Sequence, residues 1–296
     1  MKKHFLCISV ADIHGNKVQY EKLKQLVRTH KIAFVFLCGD LLPKDGGSWH
    51  IDNKVRTIAM QADFINSYFL GYLAELGALA EVYAVFGNDD FMSNYSILSN
   101  ANIPRVHFLR NQTLQLPIDD ELYVAGYPYI GMTPFLHKDW EKWDVVPNEL
   151  PHKIYRSDGY VSEEGQHIAV EKADDVSTIK DDLTTLARKS NPKKTIYVFH
   201  EAPFNTPLDR ISQNNPYIKD GQHNIGSKAI REFIESEQPL LTMHGHIHET
   251  YAESGEFTWK SGHSVSITAA NDFSSDTLSY VLFTLPDLGR LERLSA

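Results

Sequence analysis

Short apolar runs alternate with amphipathic segments along most of the chain. The runs are rich in Val, Ile, Phe and Tyr and end at polar or glycine residues, which is typical of buried β-strands. Eight runs predict strands: Phe5–Val10, Ala33–Cys38, Glu81–Phe86, Leu122–Ala125, Thr195–Phe199, Leu240–Met243, Ser264–Thr268 and Leu278–Leu285.

Segments between these runs carry apolar residues at helical spacing. The clearest extends from Val55 to Leu76, where one apolar face predicts a helix of about six turns. Shorter helices are predicted over Asn16–Arg28, Val176–Arg188 and Ser227–Glu235. Alternating strands and helices predict an α/β fold. The last two predicted strands have no helix between them, which indicates some antiparallel pairing.

The chain has no internal repeat, low-complexity tract or obvious linker, so we expect a single domain over residues 1–296. This length is enough to bury a full core. Residues 128–165 are the least regular part and contain Trp140, Trp143, several prolines and many charges. We interpret this segment as an insertion or cap on the domain.

Composition narrows the function classes. Apolar residues make up 42% and charged residues 23% of the chain, which argues against a disordered or fibrous protein. No apolar run approaches the ~20 residues of a transmembrane helix, so we expect no membrane partner. The net charge of −9, with 29 basic against 38 acidic residues, disfavours nucleic acid as the main partner. A local cationic site could still bind a small anion.

The two cysteines, Cys7 and Cys38, exclude a disulfide framework and favour a cytoplasmic location. Both lie in predicted strands, where we expect inert core thiols. Lys2 and Lys3 followed by an apolar run superficially resemble a signal peptide, but the run ends at Asp12. We interpret the run as a buried first strand.

Polar side chains able to bind metals follow five of the predicted strands. They comprise two carboxylates, one amide oxygen and four imidazoles, and the residues are Asp12, His14, Asp40, Asn88, His200, His246 and His248. The carboxyl ends of strands are where ligands bind in open α/β sheets, so these segments would meet at one edge. Glycines at positions 39, 87 and 245 allow close backbone approach there.

This mixed oxygen and nitrogen set, without thiolates, suits manganese, iron or zinc better than calcium or copper(I). Each residue alone has a structural explanation. Asp12 could be a helix N-cap, and Asn88 could be a turn former. The joint pattern favours metal binding over these separate explanations.

The order D-x-H, G-D, G-N-x-[DE], H, G-H-x-H resembles the calcineurin-like metallophosphoesterases, and it extends from Asp12 to His248. Three further segments resemble those of small prokaryotic phosphoesterases of unassigned substrate: His200-Glu201-Ala202-Pro203, Gly226-Ser227 and Gln238-Pro239-Leu240-Leu241. The resemblance implies a four-layer αββα sandwich, in which two mixed β-sheets are flanked by helices.

The resemblance also implies two divalent or transition metal ions, manganese or iron before zinc, with a bridging hydroxide that attacks a phosphate ester. The residues would divide into two ligand sets with one shared member: Asp12, His14 and His248 for one ion, Asn88, His200 and His246 for the other, and Asp40 for both. Two divalent ions outweigh two carboxylates, so the site would attract phosphate despite the acidic surface.

One position departs from the family pattern. Many members have a histidine directly after the asparagine, where it assists the leaving group, and here this residue is Asp89. A carboxylate facing an anionic phosphate is unfavourable unless it is protonated or turned away. We therefore expect Asp89 to affect catalysis, and we expect phosphodiesters or nucleotide-type substrates to be favoured over alkyl monoesters, because good leaving groups need least assistance.

Several residues outside the seven predicted ligands could act in substrate binding or catalysis, or could only pack in the fold. His223 lies in a glycine-flanked loop and could supply the missing imidazole to catalysis or substrate binding. Arg210, like Asn88, could contact the substrate phosphate, although a solvated charge is the simpler interpretation of this arginine. His244 would point away from the ligands, which favours packing. Aromatic residues could stack on a nucleobase or pack in the core, and packing is favoured: Tyr127, Tyr129, Phe135, Trp140 and Trp143.

Two other functions remain as alternatives to a phosphoesterase. A catalytically weak binding or scaffold protein of the same fold is suggested by Asp89, although no metal ligand is missing. A nuclease is suggested by the resemblance, because the family includes DNA-processing members, and the net charge of −9 argues against it.

Overall fold

Two six-stranded mixed β-sheets form the centre of the computed structural model. The structure describes residues 4–44, 51–119, 121–145, 154–172, 177–215 and 221–296, with the backbone alone for residues 51–56. The first sheet contains, in spatial order, Leu291–Ser295 (β16), Ser279–Leu285 (β15), Phe5–Val10 (β1), Phe34–Cys38 (β2), Glu81–Val85 (β3) and Val106–Phe108 (β4). Strands β1 to β4 are parallel, and β15 joins β1 in antiparallel orientation.

The second sheet also has a parallel centre with antiparallel edges. Its strands, in spatial order, are Thr258–Ser261 (β13), Ser264–Thr268 (β14), Leu241–His244 (β12), Thr195–Phe199 (β11), Tyr123–Tyr127 (β6) and Gln112–Gln115 (β5). The four inner strands are parallel to one another. Strands β13 and β5 pair antiparallel to their neighbours. The mixed pairing predicted from the sequence is therefore confirmed in both sheets.

The long helices lie where the sequence predicts them, with shifted ends. The segment predicted over Val55–Leu76 is part of a longer one, formed by Ile51–Phe64 (α2), a π-helical turn over Ile65–Phe69 and Leu70–Leu79 (α3). The other helices are Lys17–His30 (α1), Tyr95–Ser99 (α4), Ile179–Ala187 (α5), Lys228–Glu237 (α6) and Thr250–Ser254 (α7). Val176, the predicted first residue of α5, lies outside the described residues. Within the described part of the chain, no helix combines the length and apolarity needed to cross a bilayer.

Alternating side chains of the parallel strands separate into different cores. On β2, Val35 and Leu37 pack with helices α1, α2 and α3, whereas Phe34 and Phe36 pack against the second sheet. The other face of the second sheet packs on α5 and α6, for example through Phe199. The layers are therefore helices, sheet, sheet and helices, which is the αββα sandwich that the resemblance implied. Strands buried on both faces explain the continuous apolar runs in the sequence.

Residues 128–165 contact both halves of this sandwich, and residues 146–153 among them lie outside the described residues. Trp140 is fully buried in the core between the first sheet and its helices, and Trp143 packs in the core between the second sheet and helices α5 and α6. The Asp144 carboxylate accepts hydrogen bonds from Ser227 and from the amide of Lys228 at the start of α6. The segment also contributes Ile130–Gly131 (β7), Glu141–Lys142 (β8) and Asp158–Glu163 (β9), which forms a hairpin with Gln166–Glu171 (β10). That it is an insertion or cap on a single domain stays a prediction.

Candidate metal centre

The seven predicted ligand residues lie at the carboxyl ends of five parallel strands. Asp12 and His14 follow β1, Asp40 follows β2 and Asn88 follows β3, all in the first sheet. The three remaining histidines follow strands of the second sheet: His200 after β11, and His246 and His248 after β12. The carboxyl ends of strands from both sheets therefore face a common site, which is where ligands bind in α/β sheets.

One group of four residues can offer a ligand atom each to a single cation. Atoms from Asp12, His14, Asp40 and His248 all lie within 4.8 Å of one another. The Nε2 atom of His14 is 3.3 Å from Nε2 of His248 and 3.5 Å from Oδ2 of Asp40. Three of these residues are buried, and His248 is partly exposed.

A second group lies on the other side of Asp40. Nε2 of His200 is 3.0 Å from Oδ1 of Asn88 and 3.5 Å from Oδ2 of Asp40. The rings of His200 and His246 have centroids 5.2 Å apart, and the amide of His246 donates to Oδ1 of Asp12 at 3.0 Å. The same Asp40 oxygen is thus 3.5 Å from a histidine nitrogen of each group. This is the position that a bridging carboxylate requires.

A buried carboxylate oxygen in the site lacks a hydrogen-bond partner, and a cation would supply one. Oδ2 of Asp12 is buried and makes no hydrogen bond within the described parts of the chain. Burial lowers the pKa of His14 to about 3, so its imidazole is neutral. Neutral imidazoles and carboxylates that face one another are the donor set of a transition-metal site. The residues present therefore fit the metal that the sequence predicts.

Asp40 and His200 form a buried charge pair. Burial alone raises the pKa of Asp40, but its interactions with His200 and then with His14 hold it well below its usual value. Burial lowers the pKa of His200, and Asp40 more than reverses this effect. Nδ1 of His200 is 2.8 Å from the carbonyl oxygen of Cys38. When Nδ1 carries a proton and donates to this carbonyl oxygen, Nε2 is left free to bind a metal.

Four ligand residues have a left-handed backbone, which is uncommon for residues other than glycine. The φ angles are 58° at Asp12, 46° at His14, 53° at Asp40 and 70° at His246. Each such residue costs on the order of 1–3 kcal/mol, and clusters of them are typical of functional sites. The turns that orient these side chains therefore lower the stability of the folded state, while they place the predicted ligand atoms near one another.

Two glycines allow the ligand loops to approach each other. A Cβ atom on Gly87 would lie 2.2 Å from Oδ1 of Asp40 and 2.6 Å from Cε1 of His200. A Cβ atom on Gly39 would lie 2.4 Å from Nδ1 of His200, and Gly39 also has φ of +92°. No side chain fits at either position without moving a ligand.

Asp90 fixes two of the loops together, and the sequence analysis missed it. Its buried carboxylate accepts hydrogen bonds from the amides of Leu41, Leu42 and Gly87 at 2.7–3.1 Å. Burial and then the charge of Asp40 raise the pKa of Asp90 to about 8. The indole of Trp140 donates to its carbonyl oxygen at 2.6 Å. The sequence signal for Asp90 is the last position of the motif G-N-x-[DE], to which the sequence analysis assigned no role.

Asp89 lies at the rim of the site and forms an ion pair that the sequence analysis did not anticipate. Nζ of Lys44 is 3.0 Å from Oδ2 of Asp89 and 4.4 Å from the ring centroid of Phe273. The amide of Asp89 donates to Oδ1 of Asp40 at 2.8 Å. Burial and Asp40 raise the pKa of Asp89, but Lys44 and His14 lower it below the usual value. The carboxylate is therefore ionised and paired with Lys44, rather than protonated.

The structure places Arg210 and His223 beside each other on neighbouring loops. Arg210 forms a β-bridge with Asn224, and the amide of Ile211 donates to the carbonyl oxygen of His223 at 2.9 Å. Nε of Arg210 and Nδ1 of His223 are buried and make no hydrogen bond within the described residues. Their roles in substrate binding or catalysis stay predictions.

The residues interpreted as structural have packing roles. His244 is buried, stacks on Phe199 and contacts the carbonyl oxygen of Glu201 at 2.7 Å. Cys7 and Cys38 are fully buried between the two sheets. Among the aromatic residues considered for stacking on a nucleobase, Tyr127, Trp140 and Trp143 are buried. Tyr129 and Phe135 are partly exposed.

Comparisons with known proteins bear on the family and the fold. A sequence model of a protein family, the calcineurin-like phosphoesterases, matches residues 8–250. None of the curated protein sequences is significantly similar to the chain. One solved structure, with 14% identity, superimposes with a TM-score of 0.64 over 99% of both chains. The TT1561 protein of Thermus thermophilus, with 19% identity, gives a TM-score of 0.57, again over 99% of both chains. These two likenesses support the fold.

Proposed function

Since the chain belongs to the calcineurin-like phosphoesterase family, we propose that it hydrolyses phosphate esters with two metal ions bound at the candidate centre. The observation that carries this proposal is the position of Asp40, whose Oδ2 lies 3.5 Å from both His14 and His200. A carboxylate between two groups of oxygen and nitrogen ligands is suited to hold two cations close together.

Each ligand group would hold one ion, with Asp40 shared: Asp12, His14 and His248 for the first, and Asn88, His200 and His246 for the second. When bound, divalent ions lower the pKa of water towards ~7 and stabilise charge on phosphoryl oxygens. The protein orients the ligands through contacts such as that of His200 with the Cys38 carbonyl. Manganese or iron, and then zinc, are the metals that this donor set favours.

The substrate proposed is a small phosphodiester or nucleotide-type ester rather than an alkyl monoester. No imidazole follows Asn88, and the ionised Asp89 carboxylate is at the rim of the centre. A doubly charged monoester would be repelled by this carboxylate more than a singly charged diester would be. Lys44 offsets part of the repulsion, because its ammonium group is 3.0 Å from Asp89.

Metal removal tests the proposed function directly. We expect chelator-treated protein to lose hydrolysis of an aryl phosphodiester and to recover it with Mn²⁺, at a stoichiometry of two ions per chain. Ions at 100-fold above their dissociation constant would also add about 2.7 kcal/mol of stability for each independent site. Activity, metal content and thermal unfolding are measured on the same samples. An undiminished rate in metal-free protein would contradict the proposal, and no hydrolysis after loading would favour a binding or scaffold protein.

Replacement of Asp89 tests its effect on substrate preference. We expect Asp89→His to raise kcat/KM for p-nitrophenyl phosphate relative to bis-p-nitrophenyl phosphate by about tenfold, because a repulsive charge is lost and a proton donor is gained. Asp89→Asn is the matched control, since it removes the charge without adding an imidazole. A ratio unchanged in both variants would show that this carboxylate does not set the preference.

A further inference from the structure

An apolar cleft opens beside the candidate metal centre. Its volume is about 160 Å³, and its lining includes His246, Ile247 and Glu249 of the loop that follows β12. His246 also belongs to the second ligand group, where its ring lies 5.2 Å from that of His200. The cleft therefore adjoins the candidate metal centre at His246.

The walls of the cleft are mainly hydrophobic. Met132 and Phe135 belong to the segment after β7. Ile211 and Ile225 belong to the two loops that pair through Arg210 and Asn224, and Ile247 lies between His246 and His248. A ligand pocket of mainly apolar lining with a few polar groups binds organic groups by removing apolar surface from water. These side chains do not suit a second phosphate.

The polar groups in the lining lead to the same conclusion. The hydroxyl of Thr133 donates to the Glu141 carboxylate, and its amide donates to the same carboxylate at 3.0 Å. The hydroxyl proton and the amide of Thr133 are therefore already engaged and are not available to a ligand. Glu249 carries a carboxylate, and no lysine or arginine is found among the described lining residues. An additional anionic group in the cleft would be repelled.

The cleft is held in shape by its own packing. Ile211 and Ile247 are buried in a small core cluster with Ala202 and Leu208. The amide of Ile225 donates to the carbonyl oxygen of Asp209 at 3.3 Å. A pocket that is formed before binding loses little conformational entropy when a ligand enters.

We propose that this cleft binds an uncharged, mainly apolar group of the substrate, about the size of one aromatic ring, while the phosphoryl group lies at the metal centre. This inference rests on the proposed function and narrows its substrate class. An apolar protein cavity of about 150 Å³ binds benzene, and the cleft has about 160 Å³. The preferred ester therefore carries an aryl or similar apolar group and no further phosphate on that side.

Phosphonates, which do not hydrolyse, test the cleft by binding alone. We expect manganese-loaded protein to bind phenylphosphonate about tenfold or more tightly than methylphosphonate in calorimetry, because the ring buries apolar surface. Ile225→Phe narrows the cleft, and we expect it to reduce this preference to about twofold or less. Ile168→Phe, on the β9–β10 hairpin at a residue 44% exposed, is the matched control and keeps the preference.

Equal affinity for the two phosphonates in the wild type, or an unchanged preference in Ile225→Phe, would overturn the inference. The proposed function is judged separately, by whether methylphosphonate binding depends on manganese. If neither phosphonate binds, the proposed function is contradicted and phenol becomes the probe of the cleft. Phenol binding seen by ligand-observed NMR and lost in Ile225→Phe would support the cleft, and binding that is absent or equal in both proteins would refute it.

Discussion

Replacing Asp40 by asparagine lowers kcat/KM for an aryl phosphodiester by about 1,000-fold or more, because several kcal/mol of metal-dependent stabilisation are lost. Asn keeps the oxygen that accepts the amide of Asp89 at 2.8 Å, so the local hydrogen bond survives. It removes the negative charge that both groups of ligands share through Oδ2. The loss should therefore appear in metal binding and catalysis together, rather than in folding.

Steady-state kinetics, metal analysis and circular dichroism of the variant check this result. Asp63→Asn is the matched control, because the same exchange is made at an exposed position on α2. Wild-type metal content and activity in Asp40→Asn would be incompatible with a bridging role. A variant that unfolds while the control does not would instead show a structural role.

Gly87→Ala is expected to have the next largest effect. The added methyl group would lie 2.2 Å from Oδ1 and 2.4 Å from the amide nitrogen of Asp40, and 2.6 Å from His200. Backbone and ligands must move, at a cost of about 1–3 kcal/mol in unfolding free energy. A displacement of about 1 Å in a catalytic site lowers the rate about 100-fold. We therefore expect kcat/KM to fall by about 100-fold and metal affinity to fall with it.

Gly71→Ala is the control for this exchange, because a Cβ atom there meets nothing within 4 Å. Gly71 lies in α3, so alanine should leave activity unchanged and stabilise the helix by up to about 1 kcal/mol. Kinetics and urea unfolding of both variants give the comparison. Equal activity of Gly87→Ala and wild type would show that the loops tolerate a wider spacing than the structure indicates.

The eight strands predicted from apolar runs are all present, because burial on both faces leaves a continuous signal in the sequence. The first, Phe5–Val10, and the eleventh, Thr195–Phe199, have the predicted ends. Strands missed by the analysis are short or lie at sheet edges, where only part of the surface is buried. Gln112–Gln115, for example, has exposed residues at both ends and carries polar side chains at three of its four positions. Such strands depend on pairing with a neighbour rather than on their own hydrophobic pattern.

The seven predicted ligand residues lie close together in the structure, and the sequence could indicate this because each follows a strong strand signal. The residues that surround them could not be predicted in this way. Lys44 and Phe273 are far apart in the chain, and only the fold brings the ammonium group over the ring at 4.4 Å. Asp90 occupies the last position of the G-N-x-[DE] motif, but its hydrogen bonds from the amides of Leu41 and Leu42 depend on the fold. Long-range contacts of this kind leave no local periodicity to read.

The ligands come from two separate sheets, and this has a consequence for how the chemistry can change. Asp12, Asp40 and Asn88 are fixed to one sheet, whereas His200 and His246 are fixed to the other. The distance between the ligand residues of the two sheets therefore depends on the thickness of the apolar layer between the sheets, where Phe36 and Met243 pack. Larger or smaller side chains in that layer would widen or narrow the gap between the two groups of predicted ligands, without any exchange of a residue in either group.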